Sequence, residues 1–227
     1  MNDKTSLTLP LVFEKRQHER CRPDQVGATN SDNQTTNTTS FLKTCFNGLN
    51  ALSGVGILSV PYALSSGGWL SLILLFVIAA AAFYSGLLIQ RCMDEDSTIR
   101  TYPDIDNLSL LSYVSASGVF ASAIILGSIF WTGAFDGIGF HQEGSVPLNW
   151  NGIPTSVSLY AFCYCAHPVF PSLYTSIKNK RQFSNVLLLC FILCTIGYAS
   201  MAVLGYLMFG STVQSQITLN LPTEKLS

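Results

Sequence analysis

Five long stretches of this chain are almost empty of Asp, Glu, Lys and Arg, and the charged residues crowd the segments between them. The stretches run 41–63, 70–90, 108–134, 157–174 and 186–209, with Lys43 as their lone charge. A helix needs about 20 apolar residues to cross a bilayer, and all five are near or above that length. They cannot all be amphipathic helices of a soluble domain, because they have no charged face to turn to water. The chain is only 11% charged, against roughly 25% for a soluble domain. The expected class is therefore an all-α, polytopic membrane protein with about five transmembrane helices. A formal net charge of −1 points to no nucleic-acid partner.

The first forty residues differ in kind. "ATNSDNQTTNTTS", Ala28 to Ser40, is polar and poor in apolar residues, so residues 1–40 are expected to be a disordered tail and 41–227 the membrane domain. The tail lacks the apolar core of a signal peptide. Its basic residues Lys15, Arg16, Arg20 and Arg22 are mixed with Glu14 and Glu19, as suits a solvated segment, with anionic membrane lipid the alternative partner.

Lys and Arg also set the orientation. Lys4, Lys15, Arg16, Arg20, Arg22 and Lys43 lie in the tail or at the start of the first stretch. Arg91 and Arg100 follow the second, and Lys178, Lys180 and Arg181 follow the fourth. With five spans these segments share one side, expected to be cytosolic with the N-terminus. Only Lys225 falls on the other side. The sequons at Asn33, Asn37 and Asn107 are then cytosolic and unused.

No enzyme signature is present: no phosphate-binding glycine loop, no Gly-x-Ser-x-Gly elbow and no His-Glu-x-x-His. Seven cysteines lie mostly in or beside the apolar stretches, which argues against disulfides. "CYCAH", Cys163 to His167, suggests a metal site. On a helix, however, Cys165 points away from Cys163 and His167, and no second cluster completes a tetrahedron, so no metal or cofactor is expected.

The first stretch contains "NALSGVGILSVPYA", Asn50 to Ala63. Two glycines and a proline are poor residues for a continuous helix. Irregular backbone is tolerated at membrane depth where it lines a cavity or is covered by protein. A break at Ser53-Gly54-Val55-Gly56 would present carbonyls that suit an ammonium and N–H groups that suit a carboxylate, so a zwitterionic amino acid fits it. Glycine admits close approach of a ligand, and Asn50 adds a polar contact one turn earlier. The competing reading is a kinked helix packed through small residues.

A second interrupted stretch, "YAFCYCAHPVFPSLY", Tyr160 to Tyr174, carries Pro168 and Pro171. Paired interrupted segments are the best pointer from sequence to a transporter site. The candidate substrate contacts are Asn50, Ser53, Gly54, Val55, Gly56, Tyr160 and Tyr164, and the candidate helix breaks are Pro61, Pro168 and Pro171. His167 is either a proton-coupling residue or a histidine satisfied by a neighbouring backbone group.

Asn50-x-x-x-Gly54-x-Gly56-Ile57-Leu58-x-x-Pro61-Tyr62 resembles the first-span signature of the amino acid/auxin permease family, and "SLYAFCYCAHPVFPSLY" resembles that family's other broken span. Ser40 to Ser227 is similar to the plant vacuolar amino acid transporters. The resemblance implies a broken-helix, inverted-repeat fold and proton-linked movement of neutral amino acids across the vacuolar membrane. It also marks a departure. Members have about eleven spans, and after "TIRTYPDI", Thr98 to Ile105, their pattern continues into a third and a fourth. Here the chain passes directly to "DNLSLLSYVSASG", Asp106 to Gly118, which resembles the approach to the fifth. An even number of missing spans leaves the orientation downstream intact. The expectation is a shortened or internally deleted transporter of impaired activity. The alternative is a non-transporting membrane protein that associates with a full-length homologue. Three pairs of small residues in the third stretch offer packing surface: Ser117 and Ala121, Gly118 and Ser122, Ala123 and Gly127.

Overall fold

The computed structural model describes residues 39–95, 108–135, 139–140 and 146–221. Residues 1–38 of the expected disordered tail, its basic cluster and the three sequons fall outside the described residues; Thr39, at the tail's end, is buried and hydrogen-bonded rather than disordered.

Among the described residues seven α-helices follow one another: α1 Phe41–Leu52, α2 Val60–Gly67, α3 Ser71–Glu95, α4 Leu108–Phe135, α5 Ile153–Cys163, α6 Phe170–Ser176 and α7 Phe183–Phe209. Three of them, α3, α4 and α7, are long and apolar enough to cross a membrane. The first and fourth apolar stretches do not form single helices. The first is α1, a 3-10 turn at Val55–Leu58, and α2; the fourth is α5, a 3-10 turn at His167–Val169, and α6.

The interruptions run from Ser53 to Ser59 and from Tyr164 to Val169. Pro168 lies inside the second interruption, in its 3-10 turn, while Pro61 and Pro171 occupy the first turn of the α-helix that follows each interruption. The reason is geometric: proline has no N–H to donate, and a first helical turn asks for none.

α7 is the central post. Half of its most apolar window is buried, against 22% for α3 and 11% for α4, and it packs on α1, α2, α3 and α4. Close packing against the first broken segment is set by glycine: a side chain on Gly48 would meet Cys190, and one on Gly205 would meet Pro61. The outer surface carries Phe76, Val77, Phe120, Ile124, Trp131 and Ile196, each more than half exposed. Such a surface is unfavourable in water and ordinary against lipid.

The bundle has two ends. At one, Thr39 N–H donates to the Ser176 carbonyl (2.8 Å) and Lys178 N–H to the Thr39 carbonyl (3.2 Å). There Tyr174 donates to Asp94, Ser184 donates to Gln90 (2.8 Å), and Lys43 Nζ lies 5.5 Å from the ring centre of Tyr113. At the other, the N–H groups of Trp69 and Leu70 donate to the carbonyls of Val146 and Pro147, and the Val146 N–H donates to the Tyr206 hydroxyl (2.8 Å). Gly68 makes this second turn with φ 79°, and a side chain on it would stand 2.5 Å from the Val146 carbonyl oxygen. The described basic residues Lys43, Arg91, Lys178, Lys180 and Arg181 belong to the segments of the first end.

Candidate functional site

The two interruptions meet inside the bundle. α1 ends at Leu52 and α5 at Cys163. A helix end carries partial negative charge on its last carbonyls. Both last residues turn a carbonyl to one group, the hydroxyl of Tyr198 on α7. It donates to the Leu52 carbonyl and lies 3.3 Å from the Cys163 carbonyl oxygen. Tyr198 is 1% exposed. Sequence reasoning missed this residue. The available signal was weak: Tyr198 is one of two phenols in a mostly apolar helix, and a buried tyrosine hydroxyl usually requires a partner.

Gly56 joins the interruptions by a second contact. A Cβ there would lie 2.7 Å from the Cys163 sulfur and 3.4 Å from its Cα. Packing of one broken segment on the other therefore accounts for this glycine. Gly54 is exposed and has open space where a Cβ would stand, so approach to the backbone is free at that position.

Of the other candidate contacts, Ser53 donates to Ser122 of α4 (2.9 Å), and Ser122 donates in turn to the Gly118 carbonyl (3.1 Å). Asn50 lies against Gly118, where a Cβ would stand 2.1 Å from its Oδ1. The backbone of Val55 opens the first 3-10 turn. Tyr164 lies at the second break, stacked on Phe191 at 5.8 Å and edge-on to Tyr198 at 5.6 Å, with its hydroxyl 2.8 Å from that of Thr195. Tyr160 is fully buried one turn earlier and pairs with Ser71 at the start of α3 (3.3 Å), so its hydroxyl is engaged away from the break. His167 Nε2 donates to the Ala82 carbonyl of α3 (3.2 Å), the neighbouring-backbone arrangement that was one of its two readings.

Beside the first break lies a pocket of about 180 Å³ between α1, α4 and α7. Leu49, Ser53, Ile57, Val119, Ser122 and Tyr198 are among its lining residues, and among the described residues none that is charged contributes to it. The pocket thus meets Ser53, Ser122 and Tyr198 among otherwise apolar residues, and the Leu52 and Cys163 carbonyls lie behind it, on the Tyr198 hydroxyl.

The sequence matches the profile of the family described as transmembrane amino acid transporter protein over residues 37–105 and 99–227. The chain belongs to the transmembrane amino acid transporter family. The family and its named members are transporters and not enzymes. Amino acid transporter AVT1J of Arabidopsis thaliana is 48% identical over 297 positions, covering 99% of this chain and 69% of that relative. Amino acid transporter AVT1I of the same organism is 51% identical, covering 83% of this chain and 64% of the relative. The vesicular GABA transporter of Caenorhabditis elegans is 20% identical over 94% of the chain. No solved structure matches.

The family profile is met in two pieces that join at residues 99–105, between α3 and α4. The alignment with AVT1J uses 297 positions against a chain of 227 residues, which leaves at least 70 positions of that relative without a counterpart.

Proposed function

We propose that this chain carries the substrate-binding segments of a proton-coupled transporter of neutral amino acids at the vacuolar membrane. The observation that carries the reading is the meeting of two interrupted apolar segments, through their last carbonyls, beside an uncharged pocket. Helix-end carbonyls favour an ammonium group. Ser53 and Tyr198 add polar contacts, and the pocket takes an uncharged side chain. A cavity of about 150 Å³ is known to hold a benzene-sized molecule, so a pocket of about 180 Å³ suits a branched aliphatic or aromatic amino acid.

His167 is the proton-coupling candidate. Its Nε2 donates to the Ala82 carbonyl of α3, which ties the second interruption to that helix. The vacuolar membrane and the proton are supported by the resemblance to plant vacuolar transporters. The cytosolic N-terminus is supported by the Lys and Arg residues of the end that holds Thr39 and Lys178.

The two-piece match favours a second reading: a non-transporting membrane protein that associates with a full-length homologue. Uptake of labelled leucine into proteoliposomes, with and without a pH gradient, tests both. Gradient-dependent uptake by the chain alone supports transport. Uptake that appears, or changes, only when a full-length relative is reconstituted with it supports association.

A further inference from the structure

We infer that Tyr198 is a positioning residue, a latch that holds the two helix interruptions together and governs whether the Cys163 carbonyl is open to a cation. The inference builds on the transport reading but starts from geometry alone. A phenol has one proton to donate. The Tyr198 hydroxyl faces two acceptors, the Leu52 and Cys163 carbonyls. Each belongs to the last residue of a helix that stops inside the bundle. The Leu52 carbonyl also accepts the Gly54 N–H (2.9 Å), so when the hydroxyl donates to Leu52 it is the Cys163 carbonyl that is left to a second donor. A substrate ammonium is such a donor, and its arrival at the Cys163 carbonyl keeps the hydroxyl on Leu52.

The ring is held for this task. Tyr198 is packed edge-on against Tyr164 of the second interruption, and its helix also packs on α1 and α2. Tyr164 is itself tied to α7 through Thr195. Removing the hydroxyl alone leaves this packing in place, while both carbonyls lose their common partner. The two interruptions should then loosen together, although they are more than one hundred residues apart in sequence. Tyr206, four residues from the end of the same helix, is an internal comparison. It also engages a backbone group with its hydroxyl, but that group is the Val146 N–H at the far end of the bundle.

The test uses the full chain in lipid nanodiscs. Amide hydrogen exchange is followed at 53–58 and 164–169 in the unsubstituted chain, Tyr198→Phe, Tyr206→Phe, and a form with 4-aminophenylalanine at 198. The aromatic amine restores a donor in the same shape. The expected result is exchange roughly three- to tenfold faster at both interruptions in Tyr198→Phe, the effect of one lost hydrogen bond. Tyr206→Phe should leave both unchanged, and the amine should restore them. Acceleration at one interruption only, at neither, or equally in Tyr206→Phe would overturn the latch.

A second readout separates positioning from bulk stability. Binding of labelled leucine should weaken in Tyr198→Phe by a similar factor and recover with the amine, while Tyr206→Phe binds normally. Unchanged leucine affinity in Tyr198→Phe would remove the cation role. Absence of leucine binding by the unsubstituted chain would count against the transport reading instead. The exchange comparison needs no substrate and decides the latch either way.

Discussion

At Gly56 the nearest obstacle to a side chain is the sulfur of Cys163, 2.7 Å from where a Cβ would stand. Below about 3 Å something must move, and overpacking of this kind costs roughly 1–3 kcal/mol. Gly56→Ala should therefore lower the melting temperature of the protein in detergent. Cys163→Ala removes the obstructing sulfur, so the double variant should recover most of the loss. Additive effects of the two substitutions would show that the contact is not the cause. Gly54→Ala is the comparison at the same break. It has open space around it and an ordinary φ of −85°, so it should leave the melting temperature within error. Two glycines two residues apart thus have different physical reasons, which spacing alone does not reveal.

At the level of elements, α4 separates what lies inside the bundle from what lies outside it. Its Ser112, Gly118 and Ser122 face Asn47, Asn50 and Ser53 of the first broken segment. Of the three small-residue pairs expected to provide packing surface, only Gly118 and Ser122 are engaged in this way. Ser117, Ala121 and Ala123 are exposed, and Gly127 has no neighbour where a Cβ would stand. Gly118→Leu should prise α4 from α1 and expose the chain to limited proteolysis in detergent, whereas Gly127→Leu should not. Equal sensitivity in both would mean that α4 is not seated as described. The sequence could not choose among the three pairs, because α4 is apolar all round and has no amphipathic period to reveal its inner face. The first interruption was legible, since Ser-Gly-x-Gly breaks a helix locally. The second was legible through Pro168, which lies in it, whereas Pro171 marks where α6 begins. Tyr198 was illegible for a different reason: its role exists only once α7 stands between the two breaks.

For the molecule as a whole, the two ends give a direct test of orientation. Lys178 and Asn151 belong to turns at opposite ends, and both are exposed. In a background with Cys21, Cys92 and Cys165 replaced by Ser, cysteines placed at 178 and 151 should react oppositely with an impermeant maleimide on sealed vesicles. The cysteine at 178 should react from the cytosolic face. Equal labelling of both would contradict a bundle whose ends lie on opposite sides of the membrane.

The deeper consequence is what the joint at 99–105 removes. Alternating access requires one repeat to rock against another around a fixed site. This chain brings together the two interrupted segments, but it spans only 69% and 64% of the two relatives described above. α4 leaves most of its surface uncovered, and that helix forms one wall of the pocket beside the first break. Backbone groups at an interruption that lose protein cover in a bilayer cost several kcal/mol each. The expectation is a chain that inserts in the membrane and transports little by itself. Placing the corresponding segment of AVT1J between α3 and α4 should restore covering helices without reversing anything downstream. Gradient-dependent leucine uptake should then rise at least tenfold over the unmodified chain at equal membrane density. Saturable, proton-dependent uptake by the unmodified chain at the same level would refute the argument. It would mean that the two interrupted segments and α7 suffice for the transport cycle.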